Sequence, residues 1–445
     1  MTVKRMGALL LAAALSAALT SCGKPAEDPG SGSGGEISSK EPSVSVIAPI
    51  DPEPEPVYPY HNPLTGEGLE EDISGQRPFA VMLNNLSKAL PQLGVSQADV
   101  IYEIVAEGGI TRMLAVFQDI EGVGDLGSVR SARDYYVSLA CGHDAIYVHA
   151  GGSPQAYDAL QGWGMSYIDF VNGPYGDMCW RDPGRRKTAG LEHSLLTSSE
   201  KMLDQLPKRI EREHDQDFQV GWSFSKEAPA GDQQHVTWLT VPFSHYKTGH
   251  FTYNSDSGLY MVEQHINGKD IPYVDGSTGQ EVGFRNVLVL YTDVAQINGD
   301  SAGRMKVRTT GNGEGLLLRD GMLYEITWQR DSRNDCLSFL DQSGAPVSLG
   351  VGTSYINLVD TSAEVSWGGP LCSVLEWYQK RGAPMPAAMI GLQSRAVRRR
   401  SVGRPFYEID NFLFSGIFKG KFPGDRLQRM CVQWYNETKM AVMFD

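Results

Sequence analysis

Short apolar runs separated by turn-forming residues dominate the chain from Tyr58 onward and predict strands joined by short helices. Phe79–Leu83 is a compact apolar run that predicts a buried strand, and Ala145–His149 predicts another. Ser153-Pro154 then supplies the residues expected at the cap and at the first position of a helix. The order strand, glycine turn, helix is thus expected here, and we assign the first folded domain to residues 58–228.

The clearest local pattern is a β-hairpin predicted from two runs rich in β-branched and aromatic residues, Val100–Glu107 and Ile110–Gln118. Gly108-Gly109 lies between them and suits a two-residue turn. In the register of such a turn, Glu103, Glu107 and Arg112 share one face of the hairpin. Two interpretations remain open: the charged side chains form an ion pair on a solvated face, or they line the bottom of a cleft.

After a polar break at Ser225–Asp232, strand patterns recur and predict a mostly β second domain over residues 232–360. The predicted strands are His235–Val241, Phe251–Tyr253, Leu259–Val262, Val287–Tyr291, Leu316–Leu318, Gly321–Trp328 and Tyr355–Leu358. The expected fold class is α/β (α+β), with a mixed-sheet N-terminal domain followed by a mostly β domain.

The charge of the chain argues against nucleic acid as a partner. The formal net charge is -14 and the pI is near 5.2, whereas polyanion binders carry a basic surplus. The C-terminal segment is different, because residues 361–445 contain 12 Lys+Arg and 7 Asp+Glu, a difference of +5. We treat residues 361–445 as a separate, atypical basic tail.

The amino terminus predicts a lipoprotein signal peptide over residues 1–21. Lys4 and Arg5 precede the apolar run Met6–Leu19, and Leu19-Thr-Ser-Cys22 matches a bacterial lipobox. Cys22 would then carry diacylglycerol (palmitate-type acyl chains), which anchors the protein to the extracytoplasmic face of the cell membrane. The alternative is an ordinary cleaved signal peptide with an incidental cysteine. Residues 22–57 form an acidic tether rich in Pro, Gly and Ser.

The cysteines predict neither a metal site nor a bound cofactor. Their spacings contain no C-x-x-C motif or Cys/His cluster. A disulfide between Cys372 and Cys431 is one candidate, and at least one thiol stays unpaired in the monomer. Besides Cys22, the cysteines are Cys141, Cys179, Cys336, Cys372 and Cys431.

Arg130 and Arg133 flank the predicted start of a helix over Tyr135–Cys141, with Ser131 as its expected N-cap. Two arginines beside a helix N-terminus suit an anion-binding site. The competing interpretation is that both arginines pair with Glu103 and Glu107 and only join the helix to the sheet.

Further candidates follow in the same domain. His149 ends a predicted strand and is interpreted as a core histidine, a ligand-contacting or acid/base group, or a metal ligand. Ser153 is explained by its capping role, because the G-x-S-x-G elbow of a nucleophilic serine is missing. Arg181 and His193 add a second Arg/His pair.

Several motifs together give the chain a resemblance to the YerB-like lipoproteins, a bacterial family with paired domains of unknown function. The resemblance implies a membrane-anchored protein with a layered α/β N-terminal domain, and it implies no reaction. The family pattern is departed from at Ser128 and at Ser194. The motifs are Asn62-Pro-Leu-Thr-Gly66, Arg77-Pro-Phe-Ala-Val-Met82, Asn84-Asn85, Ser96-Gln-Ala-Asp99, Tyr102-Glu103, Glu107-Gly-Gly-Ile-Thr-Arg112, Val129-Arg-Ser-Ala-Arg133 and His149-Ala-Gly-Gly-Ser-Pro154.

The preferred functional hypothesis is the binding of an anionic or peptidoglycan-type envelope ligand in a cleft of the N-terminal domain. The alternative is a cell-envelope hydrolase that uses Glu103 or Glu107 with His149 as acid/base. The predicted binding residues are Arg112, Arg130, Arg133, His149, Arg181 and His193.

Overall fold

The computed structural model describes residues 56–215, 218, 221–229, 231, 233–369, 396–401 and 404–409. The predictions for the signal peptide, for Cys22, for nearly all of the tether and for a Cys372–Cys431 disulfide lie outside these residues.

The first half of the described chain mixes ten strands with four α-helices. The strands are β1 (Tyr60–His61), β2 (Gly68–Leu69), β3 (Phe79–Asn84), β4 (Val100–Val105), β5 (Thr111–Phe117), β6 (Asp125–Gly127), β7 (Ile146–His149), β8 (Tyr167–Asp169), β9 (Cys179–Arg181) and β10 (Leu195–Ser198). The helices are α1 (Asp134–Cys141), α2 (Pro154–Gly162), α3 (Pro183–Thr188) and α4 (Ser199–Asp204).

In the rest of the described chain, all the regular secondary-structure elements are strands. They are β11 (Phe224–Ser225), β12 (Gln234–His235), β13 (Trp238–Pro242), β14 (Lys247–Asn254), β15 (Leu259–Ile266), β16 (Lys269–Pro272), β17 (Gly283–Phe284), β18 (Asn286–Thr292), β19 (Val294–Gln296), β20 (Met305–Val307), β21 (Gly311–Arg319), β22 (Met322–Arg330), β23 (Ser338–Leu340), β24 (Leu349–Gly350), β25 (Ser354–Asp360), β26 (Ser366–Gly368), β27 (Ala396–Ser401) and β28 (Arg404–Ile409).

The main sheet contains eleven of the described strands, drawn from both halves of the chain. Its order is β12-β22-β21-β18-β25-β4-β5-β3-β7-β8, with β23 beside β22. The pairs β18–β25, β25–β4, β3–β7 and β7–β8 are parallel, and the others are antiparallel. The fold class predicted from the sequence is therefore confirmed as a mixed α+β fold.

The two halves of the chain meet where β25 lies beside β4, so both predicted domains contribute strands to the main sheet. The domain boundary at residues 228–232 stays a prediction.

A second sheet has the order β16-β15-β14-β13-β26-β27-β28, with β17 beside β15. Strands β26, β27 and β28 belong to the segment predicted as a basic tail. Two apolar clusters pack against opposite faces of the main sheet. One contains Val81 and Met113 with Val241 and Phe251 of the second sheet, and the other contains residues of α1 and α2. The main sheet is thus the middle layer of three.

The hairpin of β4 and β5 forms as predicted, but its predicted register is wrong by one residue. The turn has three residues, Glu107–Gly109, because Gly108 and Gly109 both take positive φ angles and Ala106 N donates to Ile110 O. Arg112 therefore lies opposite Ile104, whereas a two-residue turn at Gly108-Gly109 would place it opposite Val105. A shift of one residue moves side chains to the other face of a sheet. Glu103 and Arg112 consequently face opposite sides of the main sheet.

The two helix starts predicted beside the candidate site have different outcomes. Ser153 caps α2 as expected, since its hydroxyl accepts a hydrogen bond from Ala156 N at 3.1 Å. Ser131 is not the N-cap of α1, because that helix starts at Asp134 and Arg133 is the residue before it. The carbonyl of Ser131 instead accepts a hydrogen bond from the Arg112 guanidinium at 2.9 Å.

Burial of the His143 side chain is expected to make the folded protein less stable in acid. Its Nε2 lies 2.7 Å from the Tyr102 hydroxyl. Burial, with the nearby charges of Arg330 and His214, lowers the pKa of His143 to about 3. Between that value and the unfolded value near 6.5 the unfolded state binds more protons, so the free energy of unfolding falls as the pH drops. The expected loss at pH 5 is about 2 kcal/mol relative to pH 7.5.

Urea unfolding of the wild type and of His143→Phe at both pH values measures this effect. The stability difference between the two proteins should shrink by about 2 kcal/mol at pH 5, since the variant lacks the titrating group. Comparing the two proteins cancels the opposite contribution of Asp99, whose pKa burial raises to about 7. A stability difference that stays constant with pH would contradict the assignment.

None of the helices in the described part of the chain has the length and hydropathy needed to cross a membrane.

Candidate functional site

The candidate site lies at one edge of the main sheet, where three strand ends meet. Strands β3 and β7 are parallel and end there, at Asn84 and His149, and the antiparallel β5 begins there with Thr111 and Arg112. The segment 128–133 crosses this edge between β3 and β7, since Arg130 N donates to Met82 O and Ala150 N donates to Arg130 O. Strand pairing thus brings residues that are far apart in sequence to one edge.

Two buried arginines share one carboxylate at this edge. Glu107 forms an ion pair with Arg133, and its Oε2 lies 3.6 Å from Arg112. Burial and the charge of Arg133 lower the pKa of Arg112 to about 10. Burial raises the pKa of Glu107, but the two guanidinium charges outweigh it and the value is lower than usual. We call Arg112, Arg133 and Glu107 the arginine cluster.

Arg130 lies nearer the surface and contacts the short turn Leu191–His193. Its guanidinium donates to the carbonyl oxygen of Glu192 at 3.1 Å and to the carboxylate at 3.2 Å. The Glu192 side chain is 73% exposed, so solvent screens this ion pair and an anion can replace the carboxylate at little cost. Burial and the charge of Arg130 lower the pKa of His193.

His193 and Arg181 hold this turn in place. His193 Nδ1 lies 2.8 Å from Asn84 Nδ2 at the end of β3, and because an amide nitrogen only donates, the ring nitrogen accepts. Arg181 donates to the carbonyl of Leu191. Asn84 thus positions a histidine beside Arg130.

His149 is fully buried, between the rings of Tyr147, Tyr157 and Tyr167. Its Nδ1 lies 2.8 Å from the carbonyl oxygen of Gly151, so Nδ1 carries the proton. Burial lowers its pKa, which keeps the ring neutral. His149 Nε2 has no hydrogen-bond partner among the described residues.

The loop after β7 is held by Asp169. The carboxylate accepts hydrogen bonds from Gly151 N and Val171 N, each at 2.9 Å, and from the Tyr157 hydroxyl at 2.6 Å. His149 Nδ1 is 4.0 Å from the same carboxylate. Asp169 therefore sets the position of the loop that faces Arg130 and Ser131, a role that its place at the end of β8 could have suggested.

Glu103 does not join the other candidates. It lies on the opposite face of the main sheet, where its carboxylate accepts hydrogen bonds from Asn85 at 2.7 Å and Thr111 at 2.6 Å and contacts Tyr355. Lys247 of β14 lies 3.3 Å away. The structure thus gathers Arg112, Arg130, Arg133, Glu107 and His193 at one edge, with His149 buried behind them.

Two family models match most of the described region. The family model for the N-terminal domain of a protein of unknown function, DUF3048, matches residues 64–215, and the model for its C-terminal domain matches residues 239–356. The chain belongs to this family. The resemblance inferred from the sequence motifs is confirmed.

One relative is a Bacillus subtilis (strain 168) protein named "Putative lipoprotein YerB", which is 31% identical over 275 residues, covering 60% of this chain and 77% of the relative. The crystal structure of YerB protein from Bacillus subtilis superposes with a TM-score of 0.59 and 27% identity, over 69% of this chain and 99% of the other.

Within this DUF3048 protein, the candidate edge belongs entirely to the N-terminal family domain. All the residues gathered there lie between 64 and 215, the range matched by the N-terminal model. The family carries no described reaction that would give these residues a role, so their function rests on their geometry.

Proposed function

We propose that this DUF3048 protein is a membrane-anchored lipoprotein of the extracytoplasmic cell envelope that binds an anionic or peptidoglycan-type ligand at the arginine-rich edge of its main sheet. Two lines of evidence support the anchor. The lipobox ending at Cys22 has the order of charged, apolar and small residues that lipid modification requires. The name of the Bacillus subtilis relative describes a lipoprotein.

The observation that carries the binding proposal is the imbalance of charge at the edge. Arg112 and Arg133 are 5% and 7% exposed, and they share only Glu107 as an ion-pair partner among the described residues. Arg130 adds a third guanidinium whose carboxylate partner is exposed to solvent. Buried charge without a full counter-charge costs free energy, and an anionic ligand would lower that cost.

Hydrogen-bond donors at the edge support the same proposal. The Nε atoms of Arg130 and Arg133 are buried and have no hydrogen-bond partner among the described residues. Guanidinium groups bind carboxylates and phosphates through paired, charge-assisted hydrogen bonds. Carboxylates and phosphates are also the anionic groups expected of an envelope ligand.

The geometry does not favour the hydrolase alternative. Glu103 and His149 lie on opposite faces of the main sheet, so these two groups cannot act on one bond. Glu107 is held ionised by two arginines, which opposes its use as a general acid.

Thermal-shift and affinity measurements on the full chain test the proposal, with inorganic phosphate, phosphorylated fragments and peptidoglycan-derived fragments as probes. We expect at least one probe to raise the melting temperature. Arg130→Ala should weaken its binding roughly 10- to 100-fold, the value of one hydrogen bond between charged groups. Glu192→Gln should tighten binding a few-fold, because it removes a competing carboxylate.

Arg304→Ala is the matched control, since it removes one arginine from an ion pair with Asp300 elsewhere in the fold. This variant should bind as the wild type does. An unchanged melting temperature across the whole panel, or equal weakening by Arg130→Ala and Arg304→Ala, would overturn the binding proposal.

A further inference from the structure

Strand pairing in the second sheet brings two histidines and an aspartate to one point. Asn267 and Gly268 have φ angles of 53° and 74°, which are typical of a two-residue turn of the hairpin type. This turn joins β15 to β16 and places His265 directly opposite Asp270. His265 Nδ1 and Asp270 Oδ1 are 2.7 Å apart.

The second histidine comes from the neighbouring strand β14. His250 lies opposite Glu263 of β15, and Glu263 is two residues from His265. The side chains of His250, Glu263 and His265 therefore share one face of the sheet. The rings of His250 and His265 meet edge to face, with centroids 6.2 Å apart. Potential ligand atoms of His250, His265 and Asp270 all lie within 4.8 Å of one another.

We propose that His250, His265 and Asp270 form a binding site for a divalent transition-metal ion, with Zn²⁺ as the best-fitting ion. Zinc takes imidazole nitrogen and carboxylate oxygen at about 2.0–2.2 Å, so its ligand atoms lie roughly 3.3 Å apart in a tetrahedron. The ligand atoms lie within 4.8 Å of one another, so zinc binding would require side-chain rotations that shorten the widest of these spacings. Two imidazoles favour zinc over magnesium or calcium, which prefer ligands made of oxygen alone.

The surroundings of the three ligands support metal binding. Thr240 Oγ1 lies 3.0 Å from His250 Nδ1, and such a contact orients a ring whose other nitrogen is a ligand. Glu263 adds a second carboxylate on the same face. The His265 and Asp270 side chains are 37% and 75% exposed, so an ion reaches them from solvent without movement of the backbone.

The site has room for an exogenous ligand. Three protein ligands leave at least one tetrahedral position for water or another group. Thr240 and Thr248, on the same face as His250, also line a surface cavity of about 490 Å³. The cysteine spacings predict no metal site made of cysteines. They carry no information about a site that two histidines and an aspartate form on three strands.

Zinc titration of the full chain against a chromophoric competitor tests the proposal. We expect one Zn²⁺ per chain at this site, with an affinity that falls as the pH is lowered because the ligands bind the metal without their protons. His250→Gln and His265→Gln should each weaken binding at least about tenfold, and Asp270→Asn should weaken it less than either. Circular dichroism of each variant should match that of the wild type, because the residues lie on the solvent side of the sheet.

His245→Gln is the matched control, an exposed histidine close to the same sheet. It should bind zinc as the wild type does. Cobalt substitution distinguishes the proposed site from binding by the free thiols of Cys179 or Cys336. Only thiolate ligands produce an intense near-ultraviolet charge-transfer band. Any one of three results would overturn the proposal: wild-type zinc affinity in the double variant His250→Gln/His265→Gln, a thiolate band, or no binding at micromolar zinc.

Discussion

Replacing Lys247 with methionine is expected to lower the free energy of unfolding by about 3–5 kcal/mol. Lys247 and Glu103 are 2% and 1% exposed, and Lys247 Nζ lies 3.3 Å from the carboxylate. The variant leaves a buried carboxylate without its cation and removes the donor 2.9 Å from Gln264 Oε1. Urea unfolding followed by tryptophan fluorescence measures the loss.

A double-mutant cycle isolates the charge pair. Glu103→Gln should also destabilise, but Lys247→Met/Glu103→Gln should be less destabilised than the sum of the single variants, by about 1–3 kcal/mol. The exposed pair of Arg308 and Asp293 is the control, and Asp293→Asn should cost less than about 1 kcal/mol. Strict additivity in the cycle would show that Lys247 and Glu103 do not interact.

Replacing Arg330 with leucine is expected to cost about 3–5 kcal/mol of stability, because buried acceptors lose their donor. Arg330 is 2% exposed. Its guanidinium donates to the carbonyls of Asp335 at 2.7 Å and Thr309 at 3.3 Å, and also to Ser138 O and Arg333 O. Ser138 is in α1, so the residue ties a strand of the second half of the chain to a helix of the first.

Two further variants define the cause of this loss. Arg330→Lys should lie between the wild type and Arg330→Leu, since an ammonium group reaches fewer of these acceptors than the planar guanidinium. Arg304→Leu removes a partly exposed arginine and should cost less than about 1 kcal/mol. If Arg330→Leu and Arg304→Leu lose similar stability, the carbonyl contacts of Arg330 contribute little.

The two stability predictions concern the same property of the fold. Glu103 and α1 belong to the first half of the chain, whereas Lys247 and Arg330 belong to the second. Because β25 pairs with β4, the two halves share one hydrophobic layer on each face of the main sheet. Loss of either buried contact should therefore destabilise both halves in a single transition.

Local sequence was sufficient for several of the strands and helices and for the family. The strands β3 and β7 and the Ser153 cap follow from apolar runs and capping residues, which act over a few neighbouring positions. The family motifs depend on residue identity alone. Asn267-Gly268 is likewise a local hairpin-turn signal, and it implies that His265 pairs with Asp270.

The tertiary structure decided which charged groups meet. A turn of three residues instead of two put Glu103 and Arg112 on opposite faces, because side chains alternate along a strand. The partner of Glu103 is Lys247, a residue that no local pattern connects with it. Periodicity along the chain specifies elements, whereas register and the pairing of distant strands specify the contacts between them.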